Sequence, residues 1–315
     1  MLLKNRILVF LFLASTSWTF AQQDKLLTHF IYDKMSINPG KTGIDLYNGF
    51  CGTSIYRNQW DKVNGAPNSA LLNVEANLTK YFPGGIGISF WHDAIGFNRA
   101  NNVTLNYSYP IQISNIGVLG LGIGVGIMNL GMNPDWVPPT SLPDNTLPTG
   151  FSATGLDLNF GAYFQGKNFY AGLSSTHLPA SQLKQATQGI STTFNIARHY
   201  YIMGGYKLKK IGPGDIDAQV LMRTDLVKFS ADINARYILP MGDKQLYGGL
   251  TYRTSDAIAL MAGYTPIKNF TIGYSYDLTV NKLSSLSNGS HELMVRYCYF
   301  LPPPPTTRAR HPRWL

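Results

Sequence analysis

The chain has 315 residues, of which 13% are aromatic and only 14% are Asp, Glu, Lys or Arg. A soluble domain carries roughly 25% charged residues, so this chain has fewer charges than a water-covered surface normally uses, and its 44% hydrophobic content excludes disorder. The formal net charge of +9 does not mark a nucleic-acid binder: more than half of it belongs to Lys4, Arg6, Arg308, Arg310 and Arg313, and no Lys/Arg stripe runs between the ends.

In chain order, residues 1–21 read as a secretory signal. Lys4 and Arg6 are followed by the apolar stretch Ile7 to Ala14, and Ala21 offers a small residue before Gln22. Residues 22–47 are expected to be a periplasmic N-terminal segment, too short to form a plug. Beyond residue 21 no apolar run approaches the roughly 20 residues of a spanning helix.

From residue 48 the pattern has period two. Phe270, Ile272, Tyr274, Tyr276 and Leu278 alternate with Thr271, Gly273, Ser275, Asp277 and Thr279. Segments 156–165 and 228–237 repeat it, with Tyr163 the one large residue on the polar side of the first. One face is thus expected to be apolar and the other wet, so that Arg should be tolerated better at Ser275 than at Ile272. Such runs exceed the 5 or 6 residues typical of soluble sandwiches and suit the roughly 9–11 of a tilted membrane strand.

About 14 strands are predicted: 48–59, 68–80, 84–94, 99–109, 116–130, 152–165, 168–177, 193–208, 215–225, 227–239, 244–253, 256–265, 268–280 and 290–300. The expected fold is all-β, a transmembrane antiparallel barrel over 48–300 in the outer membrane and in contact with its lipid. An even strand count places both termini in the periplasm. Tight turns are expected at Pro83-Gly84, Gly166-Lys167, Gly212-Pro213-Gly214, Met241-Gly242-Asp243 and Pro266-Ile267, and long external loops over 131–150, 177–188 and 283–289.

Cys51 and Cys298 fall on the lumen-facing parity of the first and last strands, which a closed barrel makes neighbours. A disulfide across the seam and two free lumenal thiols both remain open. Trp136, in the loop Pro134-Asp135-Trp136-Val137-Pro138-Pro139, is a candidate partner-binding tip, or part of a loop folded over the barrel mouth. The tail 301–315 begins with the stiff spacer Pro302 to Pro305 and ends with Arg308, Arg310, Arg313, Trp314 and Leu315, a candidate periplasmic docking peptide.

Catalysis finds little support. The six histidines have no metal-type spacing and there is no G-x-S-x-G elbow. Ser175 and His177 lie two apart but lack an identified acid orienter. Gly117, Gly120, Gly122, Gly124 and Gly126 read as a small-residue face of a strand rather than a phosphate loop. No catalytic site, cofactor or metal is expected.

Several stretches together resemble the PorP/SprF family of the type IX secretion system: SINPGKTG (36–43), YRNQWDKVNGAPNS (56–69), NFYAGLSSTHLPAS (168–181), DINARYILP (232–240), TYRTSDAIALMAGY (251–264) and GYSYDLTVNKLSSLSNGSHELMVRY (273–297). The resemblance implies a non-enzymatic outer-membrane barrel of the secretion and gliding machinery. Its implied partners are a secreted adhesin or other type IX cargo, and a periplasmic lipoprotein or peptidoglycan-bound adaptor. A general diffusion porin is the alternative.

Overall fold

The structure, a computed structural model, describes residues 25–46, 48–77, 82–134, 150–180, 182–187 and 190–301. The first half of the barrel is built from β1 (Gly49–Asn58), β2 (Asn68–Asn77), β3 (Gly85–Ile95), β4 (Asn98–Ile113), β5 (Gly117–Met132), β6 (Phe151–Gly166) and β7 (Phe169–Thr176). A separate hairpin follows, β8 (Gln182–Thr187) and β9 (Ile190–Asn195). The second half is β10 (His199–Ile211), β11 (Gly214–Thr224), β12 (Phe229–Met241), β13 (Lys244–Arg253), β14 (Ala257–Ile267), β15 (Phe270–Thr279) and β16 (Ser290–Phe300).

Every barrel strand pairs antiparallel with its neighbour, β7 joins β10 past the hairpin, and β1 closes on β16 with Gly49 opposite Phe300. The fourteen strands form a closed barrel. The barrel sheet has no open edge, the condition a backbone must meet in lipid.

Alternation does what the sequence pattern requires. On β15, Ile272, Tyr274 and Leu278 are exposed, while Ser275 and Asp277 are buried. Leu72, Ile88, Leu105, Ile123, Leu156, Leu173, Ile233, Leu250 and Leu260 extend the exposed apolar face around the barrel. A soluble protein does not leave so continuous an apolar surface to water. Near one rim the rings Phe50–Tyr299, Phe82–Tyr107 and Phe164–Phe169 pair at 5.5 Å, an aromatic girdle of the kind that marks a bilayer interface.

That rim, where β1 starts and β16 ends, carries the short connections 114–116, 167–168, 212–213, 242–243 and 268–269; it is the turn end. Gly212 and Gly242 adopt the positive φ that tight hairpin turns demand. The opposite rim, the loop end, carries 59–67, 133–150, 177–198 and 280–289, together with the short links 96–97, 225–228 and 254–256.

Several strand boundaries shift by a few residues, and two of the differences have a local cause. The strand predicted over 193–208 is divided, because Ile196 turns into the core and Arg198 donates to the Leu178 carbonyl, so the barrel strand begins only at His199. The turn predicted at Pro266-Ile267 lies at Lys268-Asn269. A register shift between Tyr264 and Ile267 admits Pro266, which has no N–H for the ladder, into the end of β14.

The largest correction concerns residues 22–47. The described part, 25–46, does not lie outside the barrel but runs through its lumen as a strap of short turns: Phe30–Tyr32, Lys34–Ile37 and Pro39–Lys41. Its side chains Leu27, Phe30, Ile31, Met35, Ile37 and Leu46 are all buried. The lumen is therefore packed rather than wet. Phe30, Ile31 and Ile37 join Tyr163, Tyr170, Tyr201, Met203, Leu221, Ile238, Tyr247 and Met261 in one core, and Leu27 joins a second with Ile55, Leu71, Trp91 and Met294. A short segment suffices because the barrel's inward side chains fill the rest of the space.

Candidate functional site: the strapped lumen

The strap is held at three levels. At the loop end, Glu292 of β16 accepts from the backbone N–H groups of Thr28 (2.9 Å) and His29 (2.6 Å) and lies 2.8 Å from His29 Nδ1. Asp277 of β15 accepts from Thr28 Oγ1 at 2.8 Å. Arg57 of β1 reaches both carboxylates, Asp277 at 2.7 Å and Glu292 at 3.1 Å. The cluster continues around the wall through Arg253, which donates to Asp232 (2.9 Å) and to Asp277 (3.3 Å), and Arg223, which pairs with Asp232. Thr28, His29, Asp232 and Glu292 are fully buried. A lone charge in such a place would be costly, so the pairs exist as a connected set.

At mid-depth the strap is polar toward one wall and aromatic toward the other. Arg236 of β12 donates to Tyr32 Oη at 2.8 Å and to Asp217 of β11 at 2.7 Å. Asn38 accepts from Gly40 N within its own turn and donates to the carbonyls of Ala162 and Leu173, bridging β6 and β7. Ser174 donates to the Ile37 carbonyl and Ser108 to that of Gly40, both at 2.7 Å. The strap's irregular backbone thereby finds partners in the strand walls.

At the turn end, Lys41 pairs with Glu75 of β2 and, at 2.8 Å, with Asp45. Glu75 also accepts from Gly43 N at 2.9 Å, and Asn77 donates to the Gly43 carbonyl. Leu46 then packs against Cys51 and Cys298, which face each other in the β1–β16 register and are joined by a disulfide.

Glycine makes the passage. A Cβ on Gly122 would stand 2.2 Å from Gly40 N, and one on Gly161 would stand 2.1 Å from Asn38 Oδ1. Gly120 and Gly122 on β5 thus form a groove in which the strap's backbone touches the strand's, closer than any side chain allows.

The other candidate residues fare differently. Asp157 stands 2.8 Å from His177 Nδ1 and supplies the carboxylate that sequence reading did not identify. Ser175, however, shares the outward parity of Leu173 and so faces away from the pair. Trp136, and Arg308, Arg310, Arg313, Trp314 and Leu315, lie outside the described residues.

The lumenal cluster was missed as a site, yet five of its wall residues sit inside the stretches that carry the family resemblance. SINPGKTG is the core of the strap. Arg57, Asp232, Arg253, Asp277 and Glu292 come from the other stretches. The readable signal was Arg, Asp and Glu on the lumen parity near the loop end of six strands, β1, β11, β12, β13, β15 and β16.

A family model described as type IX secretion system membrane protein PorP/SprF matches residues 19–297. The chain belongs to the PorP/SprF family. It is thus a β-barrel membrane protein of a secretion system, and its outward apolar band is the lipid face. No curated protein matches it. Among solved structures, it is similar to CdiB from Acinetobacter baumannii at 9% identity, with a TM-score of 0.44 over 81% of this chain and 60% of that one. It is similar to a Pseudomonas aeruginosa FadL homologue at 9% identity, with a TM-score of 0.43 over 80% of this chain and 88% of that one. BamA from Haemophilus ducreyi lacking POTRA domains 1-3 also gives 9% identity and 0.43, over 80% of this chain and 70% of that one. These likenesses are too distant to carry an argument.

Proposed function

We propose that this protein is a non-enzymatic outer-membrane docking barrel, which anchors a secreted surface adhesin at its loop end and a periplasmic component of the secretion apparatus at its turn end. The observation that carries this reading is the strapped lumen. A channel needs a continuous wet path with favourable but weak sites along it. Here the path is filled by packed apolar side chains and a closed ion-pair network. What the barrel offers to partners is its two rims.

At the turn end, Leu301 leaves the barrel beside Asn48, donating to its carbonyl at 2.8 Å. The tail beyond it combines a proline spacer with Arg308, Arg310, Arg313, Trp314 and Leu315, a composition suited to a groove with acidic edges. At the loop end, Trp136 with the prolines beside it in the sequence is the residue composition for apolar contact with a partner.

Affinity purification from detergent-solubilised outer membrane tests the reading. A secreted adhesin or a periplasmic lipoprotein or adaptor should co-purify in stoichiometric amount. Large, steady conductance of the purified barrel in planar bilayers, with no co-purifying partner, would favour the diffusion-porin alternative and overturn the proposal.

A further inference from the structure

The strap has a direction. Leu27 belongs to one buried cluster with Leu130, Phe151, Leu183 and Ile196, all at the loop end or in the segment between β7 and β10. Thr28 and His29 are bound just below the loop between β15 and β16. Fifteen or so residues later, Gly43 meets Ala76 and Gly85, and Leu46 meets Cys51 and Cys298, all at the turn end where β1 begins. The chain therefore descends the whole lumen before its first strand starts up the wall.

We infer that residues 25–46 are a further crossing of the membrane, carried inside the barrel, so that the chain N-terminal to Lys25 opens on the same face as the long loops. Leu301 and the tail leave from the opposite face. An even-stranded barrel would otherwise place both ends together; the internal crossing makes the effective number odd. The secreted partner at the loop end then meets the N-terminal end of the chain as well as the loops.

The crossing is built in rather than inserted from outside. Its backbone touches the strands at Gly85, Gly120 and Gly122, closer than a side chain could pass. The barrel seam closes beside its lower end with the Cys51–Cys298 disulfide.

Which face lies outside the cell rests on the outer-membrane reading above, whereas the pairing of the N-terminal end with the loop end does not. The test uses a membrane-impermeant maleimide on three variants of the full-length protein. One carries a short cysteine tag directly before Lys25, or Asp24→Cys if the insertion disturbs assembly. The second is Ser285→Cys in the loop 280–289, and the third Asp243→Cys in the turn 242–243; both positions are exposed. The wild type, with its cysteines bonded, is the blank.

The expected result is labelling of the N-terminal site and Ser285→Cys in intact cells, and of Asp243→Cys only after the envelope is opened. If the N-terminal site labels only together with Asp243→Cys, the inference is wrong. If the two reference sites exchange behaviour, the cellular orientation is wrong. The inference is then judged by whether the N-terminal site still follows Ser285→Cys.

Discussion

Glu292 is the residue on which the head of the strap depends. Its carboxylate serves two backbone N–H groups, His29 and Arg57 at once, fully shielded from water. Glu292→Ala leaves both N–H groups and the Arg57 charge short of a partner. Removing one member of a buried ion pair costs about 3–5 kcal/mol. The loss falls on the docking of the strap and not on barrel closure, because the β15–β16 and β1–β16 ladders are backbone-paired without it. At about 1.4 kcal/mol per tenfold, the population with the strap's head released should rise on the order of a hundred- to several thousandfold. The assay is the rate of thiol labelling at Leu27→Cys, a buried position adjoining the Thr28 and His29 N–H groups that Glu292 holds, in otherwise wild-type and Glu292→Ala backgrounds. Labelling should accelerate at least tenfold, while the barrel keeps its heat-modifiable migration in gels. Asp243→Asn, at the exposed turn, should leave the rate unchanged. Equal rates in both backgrounds would refute the claim that this carboxylate holds the strap.

The packed lumen changes what substitutions on the two faces should do. Ile272→Arg places a charge in lipid at a cost of roughly 2–4 kcal/mol, and Ser275→Arg should be no milder, since Ser275 is fully buried opposite Glu292; a fully assembled Ser275→Arg barrel would argue for an open lumen. Gly122→Leu should block seating of the strap and increase protease cleavage between residues 25 and 46, and an unchanged digestion pattern would count against the groove. Because Cys51 and Cys298 are bonded, non-reduced, unfolded protein should carry no alkylatable thiol, and labelling of both would exclude the bond. Deleting residues 306–315 should leave an inserted barrel that no longer co-purifies its periplasmic partner; normal secretion and undiminished co-purification in that strain would exclude a docking role for the tail.

Strand number, strand faces and the neighbouring of Cys51 and Cys298 were legible in the sequence because they rest on local regularities. Period-two alternation assigns each side chain to a face wherever one face meets lipid, and tight turns between consecutive strands leave few ways to close the sheet. The exceptions have local causes as well: Ile196 bends inward and splits a strand, and Pro266 is absorbed by a register shift. Alternation says only that a residue faces inward, not what it meets there. Arg57, Asp277 and Glu292 are far apart in sequence, and their common partner, Thr28-His29, lies in a segment with no strand or long-helix periodicity to announce it. Gly120 and Gly122 read as small residues on a strand, and only the closed barrel shows that the space they leave is occupied by the backbone of Pro39 and Gly40. Closure brings these non-local groups together, and burial makes their pairing obligatory. The filled lumen, and the end of the barrel at which the strap begins, were therefore decided by the tertiary structure alone.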